Sequence, residues 1–294
     1  VHFKDGRPPE PKSFAELEAV TVRADEHRDY LLAIAHIDVA YPNEILKTFH
    51  LIDTPGLESY YKDDSQNTLD FLRLHGKALS EATEAEASNA DAVLYLFSQS
   101  VHSADQAVVE QFQGASMGSP SPINAIGVLT KVDYYWPDTD DPVAAGARIA
   151  ARLRSDPKVG GLFYTVFPVA GLLALGARTM TEEDFATVVR LAELPEERFD
   201  RLLRTVDRFA AKEYPDVPVP AAKRKPLLDR LGQYGVHRAV ALVRGGKRDR
   251  ARVAEALYQE SGVPNLARLV TAHFGNRAFL IKLASGLRQI AAAC

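Results

Sequence analysis

Three strands are predicted in the middle of the chain, at 92–97, 123–129 and 163–167, and the first of them is a continuous apolar run bounded by polar residues. A continuous apolar run of this length is typical of a strand that is buried on both faces of a sheet. Between and before these runs, the pattern predicts helices, and the segments are 66–87, 104–112 and 141–154. Strands that alternate with helices predict a mostly parallel sheet that is covered by helices.

The first fifty residues show a different pattern. Ser13 followed by Glu16 is a capping-box signature, which predicts a helix over 13–22. Apolar and polar residues alternate over 37–41, and a second strand is predicted at 48–52. Because only a short turn separates these two strands, we predict an antiparallel hairpin.

From residue 172 onward strand signals disappear, and charged amphipathic helices are predicted at 181–212, 222–232, 235–244, 250–260, 264–274 and 276–293. The predicted fold class is therefore α/β: a mostly parallel sheet flanked by helices, with a large C-terminal all-helical portion.

Composition narrows the possible functions. The 294 residues contain 35 Lys and Arg against 39 Asp and Glu, a formal charge of −4, so a dedicated nucleic-acid binder is not expected. The only cysteine is Cys294, which excludes a disulfide framework and favours a reducing compartment. No apolar run reaches the ~20 residues that span a bilayer. We therefore expect a cytoplasmic protein, peripheral at most on the inner face of the cell membrane.

The first candidate binding motif is Asp53, Thr54, Pro55 and Gly56, directly after the strand predicted at 48–52. Loops at the carboxyl ends of strands are where open α/β sheets bind ligands. A carboxylate here can hold Mg²⁺ through water, and the glycine leaves its backbone N–H free to approach a γ-phosphate. By itself the motif is also compatible with an ordinary tight turn.

The second motif is Thr130, Lys131, Val132 and Asp133, at the end of the strand predicted at 123–129. A carboxylate accepts two hydrogen bonds from the edge N–H groups of guanine, while a lysine stem lies along the base. Adenine lacks that pair of donors, and each charged hydrogen bond lost costs about 1.5–3 kcal/mol. Taken alone, this motif also fits a solvated strand exit.

Together and in this order, the two motifs resemble those of a GTPase of the dynamin superfamily, specifically the bacterial dynamin-like proteins of actinobacterial type. Residues 167–174 resemble the third base-contacting loop of that family, in which a backbone N–H near Ala170 and Gly171 meets the guanine carbonyl. Further segments resemble the family's strand–turn–strand lead-in and its helical part, and they are 41–47, 227–235, 261–264 and 274–277.

The resemblance implies a GTPase domain over 1–275 with a helical insertion at about 172–262, and the start of a helical stalk at 276–294. It implies GTP or GDP and Mg²⁺ as ligands, with Asp53 holding Mg²⁺ through water. It also implies a homodimer or a second dynamin-like partner across the nucleotide face, and contact with an anionic membrane through regions beyond Cys294. No nucleic-acid partner is implied.

The sequence contains no G-x-x-x-x-G-K-[ST], the loop that cradles the α- and β-phosphates. We expect this loop and the catalytic switch residues upstream of Val1, so no catalytic residue is assigned within the chain. The intact parent is then a GTPase that remodels membranes, and the segment alone is impaired in nucleotide binding. The alternative is a degenerate, non-catalytic GTPase-like scaffold for protein association.

Two other readings are weaker. Gly114 to Gly118 match the G-x-S-x-G elbow of α/β-hydrolases, with Ser116 as nucleophile, but a helical pattern precedes them and prolines follow. The eight histidines form no i,i+4 pair and no His–Glu cluster, so surface or core positions are expected for them, and no histidine metal site.

Overall fold

The computed structural model of the chain describes residues 1–21, 28–47, 51, 53, 92–98 and 125–275. The chain forms two compact units, Val1–Ala90 and Asp91–Cys294. Among the described residues, no helix combines the length and the apolar character needed to cross a bilayer.

In the first unit, strands β1 (His2–Phe3) and β2 (Ile34–His36) pair antiparallel. Between them a 3₁₀ turn (Phe14–Glu16) leads into helix α1 (Leu17–Thr21), and α2 (Arg28–Ala33) precedes β2. The Ser13 amide donates to Glu16 Oε2 at 2.9 Å, so the predicted capping box and helix start are confirmed. The buried side chains that hold this unit include Phe3, Val20 and Leu31.

The hairpin predicted at 37–41 and 48–52 is wrong in its first half. Residues 37–41 are irregular, a 3₁₀ turn (Glu44–Lys47) follows, and residue 51 also lies outside any strand. Val39 and Tyr41 are about half exposed. Alternation favours a strand only where a partner offers its hydrogen-bonding edge, and β1 pairs with the preceding residues 34–36 instead.

The second unit contains a parallel sheet of strands β3 (Val93–Phe97), β4 (Ala125–Leu129) and β5 (Thr165–Pro168), with β4 in the centre. All five residues of β4 are buried, as predicted. For β3 the prediction of burial on both faces is wrong, since Leu96 is 62% exposed. In the described sheet β3 has a neighbour on one side only, whereas β4 is flanked on both.

Helix α3 (Pro142–Ser155) packs against β5, and the short α4 (Pro157–Gly160) follows it. Asp141 caps α3 by accepting the Ala144 amide at 2.9 Å, and Pro142 occupies its first turn, as the sequence predicts. The helices predicted at 66–87 and 104–112 lie outside the described residues.

Seven helices follow β5 in the described chain: α5 (Gly171–Thr179), α6 (Glu182–Ala192), α7 (Glu196–Leu203), α8 (Val206–Ala210), α9 (Ala221–Arg244), α10 (Arg250–Glu260) and α11 (Val263–Phe274). The single helix predicted at 181–212 is three helices, with breaks at Pro195 and Thr205. Residues 276–293 lie outside the described residues.

Helix α9 is central to this helical portion, because it packs against α5, α6, α8 and α10. Its core-facing side chains include Leu227, Leu231 and Val236, which are fully buried. The predicted break between 232 and 235 corresponds to Gly232, whose backbone is not helical. The parallel sheet with its helical C-terminal portion confirms the predicted α/β class.

Candidate functional site

The loop that leaves β4 is tied to the neighbouring strand. Both the amide and the hydroxyl of Thr130 donate to the Phe97 carbonyl, at 2.7 and 3.2 Å. Lys131 follows in the left-handed conformation, with φ 58° and ψ 29°, and its side chain is exposed. This conformation is uncommon for a residue with a side chain, and it turns the chain sharply into the 3₁₀ turn Val132–Tyr135.

Helix α3 packs against this loop. Val132 is completely buried, and a Cβ added at Gly146 of α3 would lie 2.7 Å from its Cγ1. The same Cβ would lie 3.0 Å from Cβ of Pro168 at the end of β5. Glycine at 146 therefore lets α3 approach the loop after β4 and the end of β5 closely. Helix α3 thus contacts both.

Asp133 is the buried carboxylate of the site, with 5% of its surface exposed. Burial raises its pKa above the ordinary value, while the nearby Lys131 acts in the opposite direction. A Cβ at Gly232 of α9 would lie 3.9 Å from Asp133 Oδ2, so the interruption of α9 faces this carboxylate. The second half of α9 starts there, and the first amides of a helix have no intrahelical acceptor.

Tyr234 stands in the first turn after this interruption and is also buried. Burial, followed by the negative charge of Glu260, raises its pKa to about 12, with smaller contributions from Asp141 and Asp133. The Tyr234 phenol thus lies in the same acidic surroundings as the Asp133 carboxylate.

The loop after β5 is held by two backbone hydrogen bonds. The Val169 amide donates to the Leu129 carbonyl and the Ala170 amide to the Ser261 carbonyl, both at 2.8 Å. In this arrangement the Ala170 amide already has an acceptor inside the protein. Gly171 is exposed and begins α5, so its amide has no intrahelical acceptor.

The turn between α10 and α11 supports that loop, a role that the sequence pattern did not single out. Ser261 is fully buried, and its hydroxyl donates to the Tyr258 carbonyl at 2.6 Å. Gly262 has φ 81°, and an added Cβ would lie 2.7 Å from the Pro168 carbonyl oxygen. A glycine between a serine and a helix-starting Val-Pro is the sequence signal that points to such a close approach.

An ion pair connects this turn to the second half of α9. Arg238 donates from Nε to Glu260 Oε2 at 2.6 Å and from Nη2 to Oε1 at 2.8 Å. Glu260 is the last residue of α10 and directly precedes Ser261. The bidentate pair thus links the helix half that faces Asp133 to the turn that binds Ala170.

Aromatic side chains pack around His237, next to the loop that follows β4. The rings of Trp136 and His237 lie 5.1 Å apart, and Phe199 is 6.5 Å from the same imidazole. Burial lowers the pKa of His237, and its Nδ1 has no hydrogen-bond partner among the described residues. Tyr134, by contrast, is 67% exposed. Trp136 therefore packs inward, and Tyr134 is the residue of this aromatic run that faces solvent.

Asp53 lies in the first unit, is exposed and stands outside any helix or strand. Thr54, Pro55 and Gly56 lie outside the described residues, as does the hydrolase-like elbow with Ser116. The structure thus assembles the candidates of the second unit, namely Thr130, Lys131, Asp133, Ala170 and Gly171, at the carboxyl ends of β4 and β5.

Among curated proteins, this chain is similar to IniC. IniC is the isoniazid-induced protein of Mycobacterium tuberculosis, found for strains CDC 1551 / Oshkosh and ATCC 25618 / H37Rv. The identity is 30% over 251 residues, which are 85% of this chain and 49% of IniC. The chain therefore spans about half the length of these relatives. No family model matches the chain, and no solved structure matches it.

Proposed function

We propose that the chain is the guanine-recognising part of a dynamin-like GTPase, with Asp133 accepting hydrogen bonds from the base. The observation that carries this proposal is a buried carboxylate in the loop after the central strand of a parallel sheet. The order of the two sequence motifs supports it, and so does the similarity to IniC over most of the chain.

Burial makes Asp133 a selective acceptor. In the folded chain Asp133 has already lost most of its contact with water, and its raised pKa reflects this loss. A base with two adjacent N–H donors compensates that cost, whereas adenine, which lacks them, leaves the carboxylate unpaired at about 1.5–3 kcal/mol per lost charged hydrogen bond. The exposed Lys131 beside it supplies a stem for the base to rest on. In the third loop we assign the amide contact to Gly171, because Ser261 already accepts the Ala170 amide.

Asp53 suits a magnesium ion held through water, since Mg²⁺ keeps several waters and uses one or two carboxylates together with phosphate oxygens. When bound, Mg²⁺ would neutralise charge on the phosphates. Thr54, Pro55 and Gly56 would follow as the γ-phosphate loop. GTP hydrolysis, membrane remodelling, dimerisation across the nucleotide face and membrane contact beyond Cys294 then belong to the whole protein.

A second candidate function is a non-catalytic scaffold with a GTPase-like fold. The observation that favours it is the absence of G-x-x-x-x-G-K-[ST] from the 294 residues. Without that loop, the phosphates lack their backbone cradle and lysine. We therefore expect the chain alone to bind nucleotide weakly, and we expect tight binding only in an N-terminally extended form that carries such a loop.

The test uses this extended form and compares GTP with XTP. Xanthine carries a carbonyl where guanine carries its amino group, so Asp133→Asn should exchange the preference in favour of XTP. Two lost charged hydrogen bonds correspond to a loss of about 100-fold or more in GTP affinity. Asp138→Asn, an exposed carboxylate of the same loop, should leave both affinities unchanged. Equal GTP binding by wild type and Asp133→Asn would contradict the assignment, and a form that binds neither nucleotide would favour the scaffold.

A further inference from the structure

We propose that His2, His36 and Asp38 form a binding site for a divalent transition-metal ion such as Zn²⁺. It uses none of the residues that we assign to nucleotide or Mg²⁺ binding. Sequence spacing does not reveal it, because 34 positions separate the two histidines. From the sequence we expected surface or core positions for the histidines and no metal site, so this proposal departs from that expectation.

Strand pairing brings the two histidines together. His2 of β1 is the register partner of His36 of β2, so their side chains emerge at the same level of the sheet. The imidazole rings lie 4.3 Å apart and are inclined by only 11°. Asp38 follows His36 by two positions, and its carboxylate lies beside both imidazole rings.

The distances match what a bound ion requires. Asp38 Oδ2 lies 3.0 Å from His2 Nε2 and 3.9 Å from His36 Nε2, and all three ligand atoms lie within 4.8 Å of one another. Bonds of ~2.0–2.1 Å in a tetrahedron place two ligand atoms ~3.3 Å apart. One pair is therefore already close to this spacing. The His36–Asp38 pair, at 3.9 Å, needs a contraction of about 0.6 Å, and the two histidine atoms, within 4.8 Å, need one of at most about 1.5 Å. The exposed side chains of His36 and Asp38 can achieve this by rotating about their χ angles.

The ligand set selects the kind of ion. Two neutral imidazoles and one carboxylate suit Zn²⁺ and its neighbours in the first transition row, whereas Mg²⁺ and Ca²⁺ require mainly oxygen ligands. Both His36 and Asp38 are exposed, with side-chain accessibilities of 61% and 77%, so an ion can enter without unfolding. A water molecule would complete the tetrahedron.

Such an ion would connect the start of the chain to the end of β2. The sheet of this unit consists of a two-residue strand and a three-residue strand, too short to be stable alone. Because the ion binds the folded arrangement and the ligands separate on unfolding, binding adds its free energy to the stability of the first unit.

The test is a titration of the 294-residue chain with Co²⁺ and Zn²⁺, followed by the visible absorption of Co²⁺ and by calorimetry. We expect one equivalent to bind and to give the intense visible bands of tetrahedral Co²⁺. His36→Gln and Asp38→Asn should each weaken binding about tenfold or more, because each removes one of three protein ligands. The matched control is Asp5→Asn, an exposed carboxylate of the same unit, which should bind as the wild type does.

Three outcomes would overturn the proposal: no saturable binding up to about 1 mM ion, unchanged affinity in His36→Gln and Asp38→Asn, or displacement of Zn²⁺ by an equal concentration of Mg²⁺. Both substituted side chains are exposed, and far-UV circular dichroism of the ion-free variants verifies their folding. If His36→Gln unfolds, the comparison of Asp38→Asn with Asp5→Asn decides.

Discussion

Replacing Gly232 with alanine tests whether the interruption of α9 requires a glycine. Gly232 has φ 68° and ψ 173°, a combination that only glycine adopts readily. Forcing an alanine into it costs about 1–3 kcal/mol. The new Cβ would also lie 3.2 Å from Leu172 Cδ2, which therefore has to shift by a few tenths of an ångström. We expect the free energy of unfolding to fall by about 2 kcal/mol.

Urea unfolding followed by fluorescence measures this loss, because Trp136 is the only tryptophan of the chain and belongs to the second unit. With a slope of about 2 kcal/mol per molar urea, the midpoint should fall by about 1 M. Gly161→Ala is the matched control: φ is −78°, and the nearest atom to an added Cβ is the Pro157 carbonyl oxygen at 3.7 Å. The control should be unchanged or up to about 1 kcal/mol more stable. Equal midpoints for the two variants would refute the reasoning.

Three further predictions concern charge. Burial raises the pKa of Asp133, so the wild type should lose stability as pH rises from about 3.8 and this carboxyl group ionises. Asp133→Asn lacks this loss, and its stability relative to the wild type should therefore increase with pH. A difference in stability that does not change with pH would contradict the prediction. Burial lowers the pKa of His237, so the wild type should lose stability as pH falls below 6.5, and urea midpoints measured against pH should show a shallower slope for His237→Gln. A double-mutant cycle on Arg238 and Glu260, each replaced by glutamine, should give a coupling of about 1 kcal/mol that decreases at high salt, because both side chains are partly exposed. Strict additivity would mean that the pair contributes nothing.

Local patterns were sufficient wherever one segment determines its own structure. The largely apolar segment 123–129 identified a buried strand, because a strand that is covered on both faces of the sheet must be apolar on both. Asp141 followed by Pro142 identified the start of α3, since capping depends on residues within one turn. The same reasoning located Asp133 at a strand end, and the structure adds that it is buried.

Patterns failed where the outcome depends on a distant segment. Residues 37–41 alternate like a strand, but β1 pairs with 34–36, so the alternation has no partner edge. Burial of β3 on both faces depends on the segments that pack against each face of the sheet, and Leu96 is exposed. The engagement of the Ala170 amide could not be foreseen, because its acceptor, Ser261, lies on the turn between two later helices.

The α/β class, the buried strand β4 and the start of α3 followed from the sequence itself, because each depends on periodicity, caps or residue types within a few positions. Tertiary structure alone decided which groups meet. It joined His2 to His36 through strand register, and it placed the interruption of α9 at Gly232 against the Asp133 carboxylate. Such contacts arise only when separate segments pack, and the spacing of residues along the chain does not encode the distance between them.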